Sequence, residues 1–241
     1  GWWGGYVAST YLLGNTWPTL NPFRTVADLF PTLNRPYPER LGVWPSVVGL
    51  LGLIWIEVIT PMADDPRLLA SMVVAYTVAT VIGAVVFGSE VWFSSVDPIS
   101  RAFALFGRFA PFERTPEGIT VRLPGMALTD TDLVAGRDEV AFVVCLLYVT
   151  TFDGFVATWL WEAFAVGVVG WGVPPLAVYL VAYLAGFGLF LAAFWWAMGL
   201  ARRYGSTYIT REALASQFAP SLVAIAVGYH LAHNLAFVAG L

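Results

Sequence analysis

Apolar residues come in long runs along this chain, and the runs set the expected elements. Five stretches of about 20 residues, at 43–62, 67–88, 139–162, 175–200 and 218 to the last residue, carry few charges. Each is long enough to cross a hydrocarbon core of roughly 30 Å as a helix. An earlier run at 1–14 reads as the second half of another membrane helix. Residues 15–42 hold five prolines and are expected to be irregular, with at most a short helix. Residues 89–138 divide in two. Phe103, Phe106 and Phe109 recur at three-residue spacing, with Arg101 and Arg108 one heptad apart, the pattern of a helix near 99–109 lying flat at the membrane interface. Residues 117–125 alternate like a short strand and lead into an acidic stretch. The expected fold is all-α: a polytopic transmembrane helix bundle of five full spans, a partial N-terminal span and an interfacial helix. It forms a single transmembrane domain over 1–241, read as a piece of a longer chain that lacks its N-terminal spans.

Composition removes the competing classes. Only 12% of residues are charged and 59% are hydrophobic, where a soluble domain carries about 25% charge. A mean hydropathy of +0.73 agrees. A net charge of −4 offers no basic surface to nucleic acid. The single cysteine, Cys145, lies inside an apolar run, so no internal disulfide forms. Arginine places the loops. With five spans, one side of the membrane receives Arg24, Arg35, Arg40, Arg101, Arg108, Arg114, Arg122, Arg137, Arg202, Arg203 and Arg211, and the other only Arg67. The positive-inside bias makes the long Arg-rich loops of this multi-pass cell-membrane protein cytoplasmic, with 63–66, 163–174 and the C-terminus outside.

Ionisable side chains within spans are costly and therefore candidates for function. Glu57, Asp153, His230 and His233 stand out, and their depths coincide. Glu57 is 14 residues past Val43, Asp153 is 14 past Glu139, and the histidines are 12 and 15 past Phe218. At about 1.5 Å per residue all four lie roughly 18–23 Å from the cytoplasmic surface, in the outer half of the bilayer. His230 and His233 share a helix face, the spacing with which a helix offers two ligands to one ion. Two imidazoles and two carboxylates suit a divalent transition metal, Zn, Fe or Mn. Both histidines are on one helix, which excludes a bis-histidine haem bundle. The acids form one layer, which does not suit a proton pump or voltage sensor. Glu90 and Glu162 fall at span ends, and Trp44, Trp159, Trp161 and Trp171 read as interfacial anchors.

Several short motifs recur in the same order in a known family. They are Leu20-Asn-Pro-Phe-Arg-Thr25, Val43-Trp-Pro-Ser46, Ile54-Trp-Ile-Glu57, Asp65-Pro-Arg67, Thr151-Phe-Asp-Gly-Phe155, Phe218-Ala-Pro-Ser-Leu222 and Gly228-Tyr-His-Leu-Ala-His-Asn234. With them the chain resembles, over essentially its whole length, the integral membrane proteins labelled fenitrothion hydrolase. The resemblance implies hydrolysis of an organophosphate triester, chemistry open to a metal-bound hydroxide. Glu57, Asp153, His230 and His233 fall in the family's recurrent motifs, while Asn234 stands where an aromatic residue is expected. A fainter similarity is to membrane-embedded CAAX-type proteases, through His230-x-x-x-Asn234, but their paired-glutamate motif is absent. The expectation is thus a membrane-embedded, metal-dependent hydrolase. Glu57 and Asp153 would be catalytic, and His230, His233, Asp153 and Glu57 would form the ligand set. The expected partners are the lipid bilayer and other membrane subunits or further copies of the chain. Two other readings stand beside it: a non-catalytic integral subunit of a larger membrane complex, and a small-molecule transporter with a helix break at Asp153-Gly154.

Overall fold

The computed structural model describes the backbone of residues 2–60, 65–115, 118–130, 133–205 and 208–239, and the side chains of 5–60, 65–112, 118–130, 133–205 and 208–232. The chain is all-α and 77% helical, with four long apolar helices that could cross a membrane. In order these are α1 (Trp2–Leu13), α2 (Trp17–Leu20), α3 (Pro22–Ala27), α4 (Trp44–Ile59), α5 (Pro66–Phe87), α6 (Ser89–Val91), α7 (Pro98–Gly107), α8 (Arg137–Val156), α9 (Trp159–Val169), α10 (Pro175–Tyr204) and α11 (Arg211–Ala239). A hairpin of β1 (Phe112–Thr115) and β2 (Gly118–Val121) pairs Phe112 with Val121 and bears out the alternating stretch.

The long helices are α5, α8, α10 and α11, and the bounds of the five expected full spans need correcting at three places. The first run forms a helix of 16 residues, shorter than expected. It ends at Thr60, whose backbone is extended (φ −99, ψ 148) because the next residue is proline, which disfavours helical geometry before it. The third run breaks at Ala157-Thr158. Thr158 is extended, and its side chain accepts the Trp161 N–H at 3.3 Å, capping a separate helix of 11 residues. Hydropathy hides this break because both sides are apolar. The last helix begins at Arg211, seven residues before Phe218, and carries Pro220 inside it. Packed neighbours allow a membrane helix to absorb the proline.

The core forms around α8. Val140 to Leu146, Tyr148, Val149 and Phe152 are all buried, so α8 is covered on every side, packed by α4, α10 and α11. Its charged first turn fixes its neighbours. Asp138 Oδ2 accepts the Val43 N–H at 2.7 Å at the start of α4, and Arg137 pairs with Glu212 of α11 at 2.6 Å. Gly42 has a positive φ of 46°, and a Cβ there would collide with the Asp138 carboxylate. The close approach therefore requires glycine. Deeper in the bundle, the Tyr148 hydroxyl donates to the Tyr183 carbonyl of α10 at 2.6 Å, and the Tyr183 hydroxyl donates to the Leu51 carbonyl of α4 at 3.0 Å.

The expected interfacial helix exists as α7, but it is not lying free at the surface. Pro98, Ala102, Phe103, Leu105 and Phe106 are buried against α1, α4 and α11. Its apolar face is covered by protein, which period alone does not distinguish from a face turned to lipid. The stretch 89–107 is broken at Asp97-Pro98, and α7 with 10 residues rises about 15 Å, too little to cross. Asp97 is 2% exposed. It caps α7 by accepting the Ser100 N–H at 2.6 Å, and it receives the Tyr76 hydroxyl of α5. Burial pushes its carboxyl above the ordinary range, against the hydrogen bonds from Tyr76 and Ser100. Replacing Asp97 with Ala removes the cap and one of the partners of the half-buried Tyr76 phenol. The expected loss is about 2–4 kcal/mol, read as a lowered thermal midpoint in detergent. Asp97→Asn keeps an acceptor and is expected to be milder. A raised carboxyl makes stability fall as pH rises from the ordinary carboxylate range through the raised value. The Asn variant loses that slope.

Candidate functional site

Three helices carry the candidate layer, and their registers can be followed from the charged end. Val43 and Asp138 are bonded there. Glu57 lies 14 residues beyond the first and Asp153 15 beyond the second, a mismatch of about 1.5 Å. Arg137 and Glu212 are likewise paired, and 17 residues beyond each stand Gly154 and Tyr229. A Cβ at Gly154 would overlap the Tyr229 hydroxyl, so these two helices touch at this level. The depth is about 25 Å from the ion pair. Glu57 lies within electrostatic reach of Asp153, and Asp153 within reach of the Tyr229 phenol. Of the expected layer, Glu57 and Asp153 thus lie at one level within electrostatic reach, and Tyr229 stands beside Asp153.

Exposure grades across this layer. Glu57, in the last turn of α4, is exposed, Asp153 is half-buried, and His230 is buried at 8% exposure. His230 sits in an aromatic surround, its ring 6.1 Å from that of Tyr11 on α1 and 6.1 Å from that of Phe106 on α7. His233 lies on α11, but its side chain, and with it its expected place in the ligand set, is outside the described residues. Among the described residues no three of His, Cys, Asp and Glu are grouped so as to hold a metal ion. Glu57, Asp153 and His230 therefore do not form a metal centre by themselves, and the expected ligand set extends to a side chain beyond them.

Asp153-Gly154 is uninterrupted helix, so the break expected of a transporter is not at that point. Gly154 is instead a notch for a phenol. A glycine inside an apolar helix marks close approach as well as breakage, and that signal could have led from Asp153-Gly154 to Tyr229. Cys145 is buried in the core of α8, as expected of a small apolar side chain. Comparison with known proteins finds no family model, no curated protein and no solved structure that matches the chain.

The notch gives a direct test. Gly154→Ala is expected to cost about 1–3 kcal/mol through overpacking, and Tyr229→Phe in the same chain should recover part of that loss by removing the oxygen. Thermal midpoints of both single variants and the double variant measure the coupling. Strict additivity would separate the two residues.

Proposed function

We propose that this chain is a multi-pass protein of the cell membrane with a hydrolase-type polar site in the outer half of the bilayer. The observation that carries this reading is that Glu57 and Asp153, on two different helices, lie at one level of an apolar bundle and within electrostatic reach of each other. Two carboxylates at one level can divide the work of hydrolysis, one as general acid and the other as general base. Tyr229 adds a donor beside Asp153. His230 and His233, three residues apart on α11, complete the set in this reading. The group they would hold with the carboxylates, a divalent transition metal, supplies an activated water. The resemblance of the ordered motifs to the fenitrothion hydrolase family implies, in this reading, a phosphotriester as the substrate class. The exposed position of Glu57 supports entry of substrate at the outer end of α4.

A second reading has its own support. Elsewhere in this bundle polar side chains tie helices together, as Tyr148 and Tyr183 do through backbone carbonyls. In a non-catalytic subunit of a larger membrane complex, the Glu57–Asp153–Tyr229 layer would do the same. Metal analysis of protein purified without chelator separates the two. The hydrolase reading expects close to one equivalent of Zn, Fe or Mn, reduced at least tenfold in Asp153→Asn and in His233→Ala. Less than a tenth of an equivalent in the unaltered protein would favour the subunit.

For topology we propose five crossings, α4, α5, α8 with α9, α10 and α11, with the Arg-rich loops cytoplasmic. Trp171 and Tyr208 are both exposed at connections, and the native Cys145 is buried. In intact cells an impermeant thiol reagent should label Trp171→Cys from outside and should label Tyr208→Cys only after lysis. The reverse pattern would invert the chain.

A further inference from the structure

A cavity of about 760 Å³ opens between the first half of α11 and the turn Met126–Thr129. That volume falls in the range of ligand pockets, about 300–1,000 Å³. Its walls are mostly apolar: Phe109, Leu123, Met126 and Leu128 on one side, Phe218 and Ala224 of α11 on the other. Its rim is charged. Asp130 lines the cavity and receives Arg108 Nη1 at 3.9 Å and Arg122 Nη1 at 3.4 Å. The α11 wall from Ser216 to Ala224 rises about 12 Å, leading from the helix end that holds the Arg137–Glu212 pair into the apolar bundle. Pro220 also lines it. Having no N–H, Pro220 gives no helical hydrogen bond to the carbonyl of Ser216, another lining residue, which adds a backbone acceptor to the polar side chains of Ser216, Gln217 and Ser221 in this wall.

The neighbouring hairpin sets the level of the mouth. Ile119 and Val121 of β2 and Leu123 just beyond it alternate in sequence and are all more than 70% exposed. An exposed apolar ridge beside arginines suits the boundary between headgroups and acyl chains, where the ridge enters hydrocarbon and the guanidiniums meet phosphates. A guanidinium has five N–H donors in a fork and can serve a carboxylate and a phosphate together.

We infer that this groove binds an anionic phospholipid, one acyl chain lying along α11 and the phosphate held by Arg108 and Arg122. The site is distinct from the Glu57–Asp153 layer and does not depend on its chemistry.

Thermal unfolding of the detergent-purified protein tests the inference with three additives: phosphatidylglycerol, phosphatidylcholine and inorganic phosphate. Phosphatidylglycerol at about 100 times its Kd should raise the midpoint by roughly 5–10 °C, and the other two should leave it nearly unchanged. Arg108→Gln with Arg122→Gln should abolish the shift, as should Ala224→Trp, which fills the apolar end without touching the arginines. Equal shifts with both lipids would mean bulk solvation alone and would overturn the inference. So would a full shift with inorganic phosphate, or a phosphatidylglycerol shift that survives both variants. The three-additive comparison on the unaltered protein decides the matter even where a variant fails to fold.

Discussion

The bundle depends on the charged first turn of α8. In lipid, apolar helices gain little from burial against one another, because acyl chains are as apolar as leucine. Dispersion between such surfaces changes little when one helix slides past another, so register must come from directional contacts. Arg137 and Asp138 supply them, one reaching Glu212 on α11 and the other the Val43 N–H on α4. Glu139 adds a third, an ion pair with Arg101 of α7 at 3.4 Å. Arg101 also donates to the Ser94 carbonyl and lies 5.2 Å from the Phe142 ring centroid, so the α7 segment is tied to the same turn. Surface ion pairs contribute only about 0–1 kcal/mol each, and the exposed Arg137–Glu212 pair belongs to that class. Their value here is positional: three elements are aligned within about one residue at a single level.

Polar groups farther along α8 extend the same logic. The Tyr148 and Tyr183 hydroxyls each reach a helix carbonyl, which already serves its own helix and has a second lone pair to offer. Gly186 lies against the Tyr148 ring and leaves it room. On the other flank Asp97, Tyr76 and Ser100 form a connected set, and Ser100 Oγ accepts from Trp17 Nε1 at 3.1 Å. A broken helix leaves backbone donors open at its new start, and Asp97 caps one of them, the Ser100 N–H. The cost of burying its carboxyl is offset in part by the hydrogen bonds it accepts. One side chain thereby stabilises both the break and its contact with α5.

The membrane character, the long helices, the β2 strand and the common level of Glu57 and Asp153 were legible because each rests on a single periodicity or count. Features set by contact with a neighbour were not. The Ala157-Thr158 break leaves hydropathy unchanged, and its signal is the lone capping hydroxyl of Thr158. The apolar face of α7 has the spacing of an interfacial helix, and only tertiary packing shows that protein covers it. Tyr229 reads in the sequence as one aromatic among many. It joins the site because Gly154 faces it, a fact about two helices that neither run contains. His230 shows the converse: its place on α11 was clear, but its aromatic neighbours come from α1 and α7, more than 100 residues away along the chain.

The clamp and the candidate site are physically linked, although about 25 Å separates them. A half-buried carboxylate without compensation costs several kcal/mol in an apolar setting, so Asp153 is tolerable only where polar partners meet it. A slip of one residue between α8 and α11 would shift Gly154 by about 1.5 Å and turn its notch by about 100° relative to Tyr229. The phenol would then meet a side chain instead of a gap, and Asp153 would leave the partner beside it. Small axial errors at the charged end therefore become losses at the polar layer. An acid–base pair needs placement to within about 0.5 Å, whereas simple helix adhesion tolerates more. The tightness of the Gly154–Tyr229 fit is what the catalytic reading requires, and the charged turn at the other end of α8 is what makes that fit reproducible.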